Sequence, residues 1–290
     1  ILPLLTLLTL LTATVSAQNC SYNFEGDLYS RSAILTIKGL PTNLAYNPKT
    51  EELLFTLIDL ETLHNDDEQT KMEQYIIRDG EPIKINNVKG QAAAVDINNN
   101  KVYIATDEGL TVLNETYKAN FVSMKDEDIV QLFKPANKDV LYATLFPDND
   151  LYVIDLNKNE KVKVEHVPCA YFMAVDDKDN IYYECNSKYV KVLLKDFEEP
   201  IEFVGIAKNS GRAIAVDRYY RAVLANNDGL YHLRQDNMIP VKLMDLDIIP
   251  AGIVFDGDDF YISTNGVIYK YSKENCEVED ADDQTMNKEI

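Results

Sequence analysis

Gln91-Ala92-Ala93-Ala94-Val95-Asp96, Asn98-Asn99-Asn100, Val102-Tyr103-Ile104-Ala105-Thr106, Asp107-Glu108-Gly109-Leu110 and Thr111-Val112-Leu113 follow one another almost without interruption. Read in order, they are a small apolar strand, a polar turn, a β-branched and aromatic strand, a glycine turn and a third strand. The same order recurs. Tyr171 to Asp176 leads to Ile181-Tyr182-Tyr183, and Arg212 to Asp217 leads to Ala222-Val223-Leu224-Ala225 and Asn227-Asp228-Gly229-Leu230. Ala251 to Asp256 leads to Phe260-Tyr261-Ile262-Ser263-Thr264 and Asn265-Gly266-Val267. Two further copies are more worn. One runs from Ile129 to Lys134 and on to Val140-Leu141-Tyr142-Ala143-Thr144, the other from Thr42 to Asn47 and on to Leu53-Leu54-Phe55-Thr56.

The copies are anchored at Asn47, Asp96, Lys134, Asp176, Asp217 and Asp256, at intervals of 49, 38, 42, 41 and 39 residues. A period near 40 with three or four short strands per unit is that of a propeller blade, so the fold class is all-β, a six-bladed β-propeller. The frequent Asn/Asp/Gly turns exclude helical repeats of similar period, and no amphipathic helix is legible. A lone twisted sheet cannot bury both faces, so blades must pack in a ring that closes. Arg31 to Lys38 lacks strands of its own and is expected to supply the outer strand of the last blade, beside Phe260 to Tyr271. The long first interval holds a polar insert, Leu60 to Lys71, with His64 and Asp66-Asp67-Glu68, expected as an extended loop on one face.

Residues 18–276 are therefore read as one domain. Residues 1–17 crowd Leu4, Leu5, Leu7, Leu8, Leu10 and Leu11 before Val15-Ser16-Ala17, which suits a signal peptide cut after Ala17, with its first few residues missing. A retained anchor is the alternative. Residues 277–290 read as an acidic, solvated tail. Asn19-Cys20-Ser21 and Asn114-Glu115-Thr116 are glycosylation sequons, and four cysteines suit an oxidising, extracellular compartment. Four cysteines allow three pairings. Cys169 and Cys185 flank the turn Asp176 to Asn180 and would stand opposite one another in a hairpin. Cys20 and Cys276 flank the seam, where a bond would staple the ring shut.

The formal charge of −20 disfavours nucleic acid and anionic membranes as partners. Hydrophobic residues at 46% are enough for a sizeable core. The innermost strands of a propeller line its axis, where ligands bind. Five residues before each anchor stand Thr42, Gln91, Ile129, Tyr171, Arg212 and Ala251, and one further in stand Asn43, Ala92, Val130, Phe172, Ala213 and Gly252. Two before the anchor, the row Ala45, Ala94, Leu132, Ala174, Ala215 and Val254 is apolar, as a crowded axis requires. The candidate ligand-binding set is Asn43, Gln91 and Gln131 as amide donors and acceptors, Tyr171 and Phe172 as stacking walls, and Arg212 for a carboxylate. A competing possibility is that Arg212 only pairs with a neighbouring carboxylate.

The six-fold "Ala-Val-Asp, turn, Val-Tyr-Ile-Ala-Thr, Asp-Glu-Gly-Leu" unit, the leader-like start and the length resemble the insect ommochrome-binding proteins. That resemblance implies a secreted haemolymph carrier of a planar, tryptophan-derived pigment, a small aromatic partner; the chain is expected to act as a monomer and not as an enzyme. The wider likeness is to regucalcin and gluconolactonase propellers, whose metal is held by Glu, Asn and Asp of inner strands. The first row here carries no carboxylate and no Asn, and Asn43 lies one residue off it. No metal, cofactor or catalytic set is therefore expected. His64, His166 and His232 lack metal-binding spacing, and no Gly-x-Ser-x-Gly elbow exists. A metal-dependent lactonase and a protein-interaction propeller without a small ligand are the other readings.

Overall fold

The structure is a computed structural model that describes residues 20–62, 70–86, 88–158 and 160–273. These residues form six antiparallel sheets. Blade 1 comprises Leu40–Asn47, Glu52–Ile58, Met72–Arg78 and Glu81–Lys84. Blade 2 comprises Gly90–Asp96, Lys101–Thr106, Gly109–Leu113 and Ala119–Ser123, and blade 3 Ile129–Phe133, Val140–Leu145, Asp150–Asp155 and Glu160–Lys163. Blade 4 comprises Phe172–Val175, Ile181–Cys185, Tyr189–Leu193 and Ile201–Glu202, and blade 5 Gly211–Val216, Ala222–Asn226, Gly229–Arg234 and Asn237–Asp245. Blade 6 joins Gly252–Asp256, Asp259–Thr264 and Val267–Ser272 to two strands from the start of the chain, Asp27–Thr36 and Tyr22–Phe24. The first strands of successive blades pack against one another all the way round, from blade 1 to blade 6 and back.

The expected closure is present, with Ser30 opposite Ser272 and Thr36 opposite Val267. The closing strand begins four residues earlier than the sequence suggested, and the fifth strand, Tyr22–Phe24, was not foreseen. Burial follows the ring. There is one apolar cluster for each of the six blade interfaces; Ala92, Tyr103 and Leu110 of blade 2, for example, meet Ile129, Leu141 and Ile154 of blade 3. Each sheet thus buries both faces only because two neighbours cover it.

The anchors fold the turns. Asp96 Oδ1 accepts from the Asn99 amide, Asp176 Oδ1 from those of Lys178 and Asn180, and Asp217 Oδ1 from those of Tyr219 and Arg221. A short carboxylate that captures amides two to four residues on makes the reversal local, which is why Asp marks the repeat. Blade 3 reaches the same end with opposite chemistry. The buried Lys134 Nζ donates to the carbonyls of Pro135 and Lys138 and lies 3.8 Å from Asp96 of blade 2. The glycine of the second turn has a steric cause: at Gly109 (φ +126°) a Cβ would come within 2.4 Å of the Met124 carbonyl.

Cys169 and Cys185 are joined, with Cα atoms 5.4 Å apart, across the expected hairpin. Cys276 lies outside the described residues, and so does the expected Cys20–Cys276 bond. The leader 1–17, Asn19, His64, the acidic run 66–68 and the tail 277–290 lie outside them too. Among the described residues no helix is long and apolar enough to cross a membrane.

Candidate functional site

Where the inner strands begin, four of them are irregular. Pairing with the second strand slips between Thr42 and Ala45, Gly90 and Ala92, Ile129 and Gln131, and Gly211 and Ala213. The extra residues include Asn43, Gln91, Val130 and Arg212. A bulge breaks the inward–outward alternation and re-aims a side chain, so it frees these positions from the blade interfaces at the mouth of the channel. Asn43 takes a left-handed backbone (φ +49°), which Asn tolerates better than most residues.

These residues line one cavity of about 1100 Å³. Asn43, Gln91, Gln131, Tyr171, Phe172 and Arg212 all border it. Leu132, Phe133 and Ile214 border both this cavity and a smaller one of about 330 Å³ at the opposite end of the axis, where Ala45, Ala94, Ala215 and Val254 also lie. Leu132, Phe133 and Ile214 therefore stand between the two openings, and most of the apolar row lies on the side of the smaller one.

The amides form a chain across the blades. Gln131 Nε2 donates to Asn43 Oδ1 at 2.7 Å, joining blade 3 to blade 1 across blade 2. Asn43 Nδ2 donates to the Gln91 carbonyl at 2.6 Å, and Gln91 Nε2 donates to Asp128 Oδ1. Tyr171 is 57% exposed and offers an open aromatic surface, its amide held by the Glu184 carbonyl at 2.8 Å; Phe146 is a second exposed ring on the cavity. Phe172 is largely buried in the interface between blades 4 and 5. Arg212 Nε donates to Asn227 Oδ1 at 2.7 Å, and no carboxylate pairs with its guanidinium among the described residues.

One row drawn from the sequence needs correction. Phe133 pairs with Tyr142 as Ala94 pairs with Tyr103 and Ala174 with Tyr182, so blade 3 is displaced by one residue relative to the anchor Lys134. Gln131, not Val130, is the residue that pairs across at the level of Phe172, and Leu132 stands one place from the position first given to it. The bulge stands three residues before Phe133, as Gln91 stands before Ala94 and Arg212 before Ala215, so the displacement arises at the Lys134 turn.

Other lining residues were not anticipated: Asp128 just before blade 3, the pair Lys89–Asp107 (3.2 Å) on blade 2, Phe146 and Asn149 on blade 3, and Thr62, Thr70, Lys71 and Met72 flanking the blade 1 insert. Nearly all sit on loops, where the repeat pattern is silent. Behind the aromatic wall lies Glu184, opposite Phe172 in the sheet. Burial pushes its carboxyl up to about 7, and its Oε2 has no hydrogen-bond partner. His166 is exposed on a turn outside the cavity. His232, on the third strand of blade 5, is held below the usual imidazole range by burial.

The donor set does not fit a divalent cation. Asp107 is paired with Lys89, which leaves Asp128 as a lone carboxylate on the cavity among the described residues; the amides bond to one another, and a guanidinium borders the same cavity. Among the described residues no three His, Cys, Asp or Glu side chains converge as metal ligands.

No family model and no curated protein matches the sequence. Solved structures do. A gluconolactonase from Xanthomonas campestris superposes with a TM-score of 0.67 at 10% identity, over 88% of this chain and 95% of its own. An auxiliary nutrient binding protein from Bacteroides thetaiotaomicron gives 0.61 at 12%, over 81% and 69%. Virginiamycin B lyase from Staphylococcus aureus gives 0.58 at 12%, over 84% and 99%. The chain shares their propeller fold. At such identities the likeness concerns the backbone, because one propeller carries unrelated chemistries at its mouth.

Proposed function

We propose that this protein is an extracellular carrier that takes a flat, carboxylate-bearing aromatic molecule of the ommochrome type into the axial cavity without turning it over. The observation that carries the reading is the meeting of an open tyrosine face, Tyr171, and a guanidinium that has no carboxylate partner among the described residues, Arg212, on one cavity of about 1100 Å³. A planar pigment needs an aromatic wall, a cation for its carboxylate and amides for its ring heteroatoms, and those groups line this cavity. A nutrient-binding protein among the structural neighbours supports ligand carriage on this scaffold. Secretion rests on the leader-like residues 1–17 and on paired cysteines. The lactonase reading has the gluconolactonase fold in its favour, but no acidic ligand set converges among the described residues.

The absorption spectrum of protein from native tissue tests the reading first: a carrier is expected to be purified coloured. Titration of an ommochrome into wild type, Arg212→Ala and Tyr171→Ala tests the site. Each variant is expected to lose roughly tenfold in affinity, the effect of one charge-assisted bond or one stacking face. Full affinity in both folded variants would move the pocket elsewhere.

A further inference from the structure

We infer that the cavity selects an aromatic zwitterion, with Asp128 as the group that recognises a protonated amine. The inference rests on the carrier reading and narrows its ligand. Among the described residues five charged side chains border the cavity, and three of them are already matched: Lys89 pairs with Asp107, and Lys71 with Glu73. Asp128 and Arg212 have no opposite charge within ion-pair distance among the described residues. Asp128 Oδ1 takes one neutral bond from Gln91, and Arg212 Nε gives one to Asn227. Each keeps hydrogen-bonding capacity in reserve, because a carboxylate offers about four acceptor sites and a guanidinium five donors.

Their order round the ring gives the inference its content. Asp128 leads into blade 3, Tyr171 and Phe172 open blade 4, and Arg212 opens blade 5. The aromatic wall therefore stands between an anion and a cation. A ring lying on Tyr171 has a carboxylate on one side of it and a guanidinium on the other. A carboxylate-only ligand would leave Asp128 to repel it or to stay idle. A ligand with both charges uses both groups, and each contact is made in a partly desolvated mouth where charge-assisted bonds count for more. Gln91 holds the Asp128 carboxylate, so the acceptor is oriented before a ligand arrives.

Three probes that share an indole ring separate the charges: tryptophan carries both, indole-3-propionate only the carboxylate, and tryptamine only the ammonium. By calorimetry at pH 7, wild type is expected to bind tryptophan roughly tenfold or more tighter than either analogue. In Asp128→Asn, which can still accept from Gln91, tryptophan is expected to fall to the level of indole-3-propionate. Indole-3-propionate itself is expected to change by less than about threefold. In Arg212→Gln, tryptophan is expected to fall to the level of tryptamine. If wild type binds the pigment yet does not prefer tryptophan, or if Asp128→Asn leaves the preference intact, the zwitterion inference is overturned while the carrier reading stands. If wild type binds neither the pigment nor any of the three probes, the carrier reading fails and takes this inference with it.

Discussion

Arg31 and Asp247, 216 residues apart in the chain, form a two-point ion pair across the seam, with Nη2 and Oδ2 3.1 Å apart. The guanidinium also lies 4.7 Å from the Tyr22 ring centroid and 4.8 Å from that of Tyr269. One side chain of the closing strand therefore grips the fifth strand, the third strand of blade 6 and the loop after blade 5. A second link, Glu25 with Arg221, ties the same seam to the inner turn of blade 5.

Arg31→Ala is expected to lower stability by about 1–2 kcal/mol, the sum of a half-exposed ion pair and its aromatic contacts. For a chain of this size that amounts to a fall of several degrees in melting temperature, roughly 2–4 °C per kcal/mol. Thermal unfolding of the variant beside Lys38→Ala, whose pair with Glu61 is fully exposed, separates a seam effect from loss of surface charge. Equal melting temperatures in the two variants would remove the seam role.

The Cys169–Cys185 bond stands two residues before Tyr171 and beside Glu184, whose carbonyl holds the Tyr171 amide. Replacing both cysteines by serine is expected to cost about 3 kcal/mol from loop entropy and to weaken pigment binding several-fold by loosening the open aromatic wall. Non-reducing peptide mapping checks the pairing directly. Recovery of Cys169 linked to any other cysteine would contradict it.

Glu184 gives stability a pH dependence of defined sign. Its folded value, near 7, lies above the ordinary 4.5, so the folded state holds the proton more tightly than the unfolded chain does. The stabilising contribution is complete below about 4.5 and is lost as pH rises through about 7. Glu184→Gln has no proton to lose. Its advantage over wild type is expected to grow from pH 4.5 to pH 8 and reach on the order of 1–3 kcal/mol. Urea unfolding at both pH values measures it, and a constant difference would mean that the carboxyl is not buried in its neutral form.

Purified protein is expected to hydrolyse no sugar lactone when Ca²⁺, Zn²⁺ or Mn²⁺ is added. The reason is the composition of the mouth: amides bonded to one another, a guanidinium, and a single carboxylate, Asp128, without a cationic partner among the described residues. Metal-stimulated turnover that follows the protein through purification would restore the hydrolase reading.

The repeat was legible because a blade is local. Each hairpin joins neighbours through a short turn, and the turn residues, Asp96 or Gly109, are dictated by backbone geometry within a few positions. Closure was legible for the same reason in reverse: an apolar strand without local partners, Arg31 to Lys38, had to find them at the far end of the chain. The inner-strand site residues could be named because position in the repeat fixes height along the axis. What position could not give is what a side chain meets from another blade. The sequence does not show that Gln131 bonds Asn43 across blade 2, or that Phe172 turns into an interface while Tyr171 stays open. Nor does it show that Arg212 meets an asparagine and, among the described residues, no acid, or that blade 3 stands one residue off its anchor. Asp128 lies outside the repeat pattern altogether and enters the site only through the packing of one blade against the next. Period and pairing are short-range properties carried by the chain itself; the charges that face one another at the mouth are set by the closed ring.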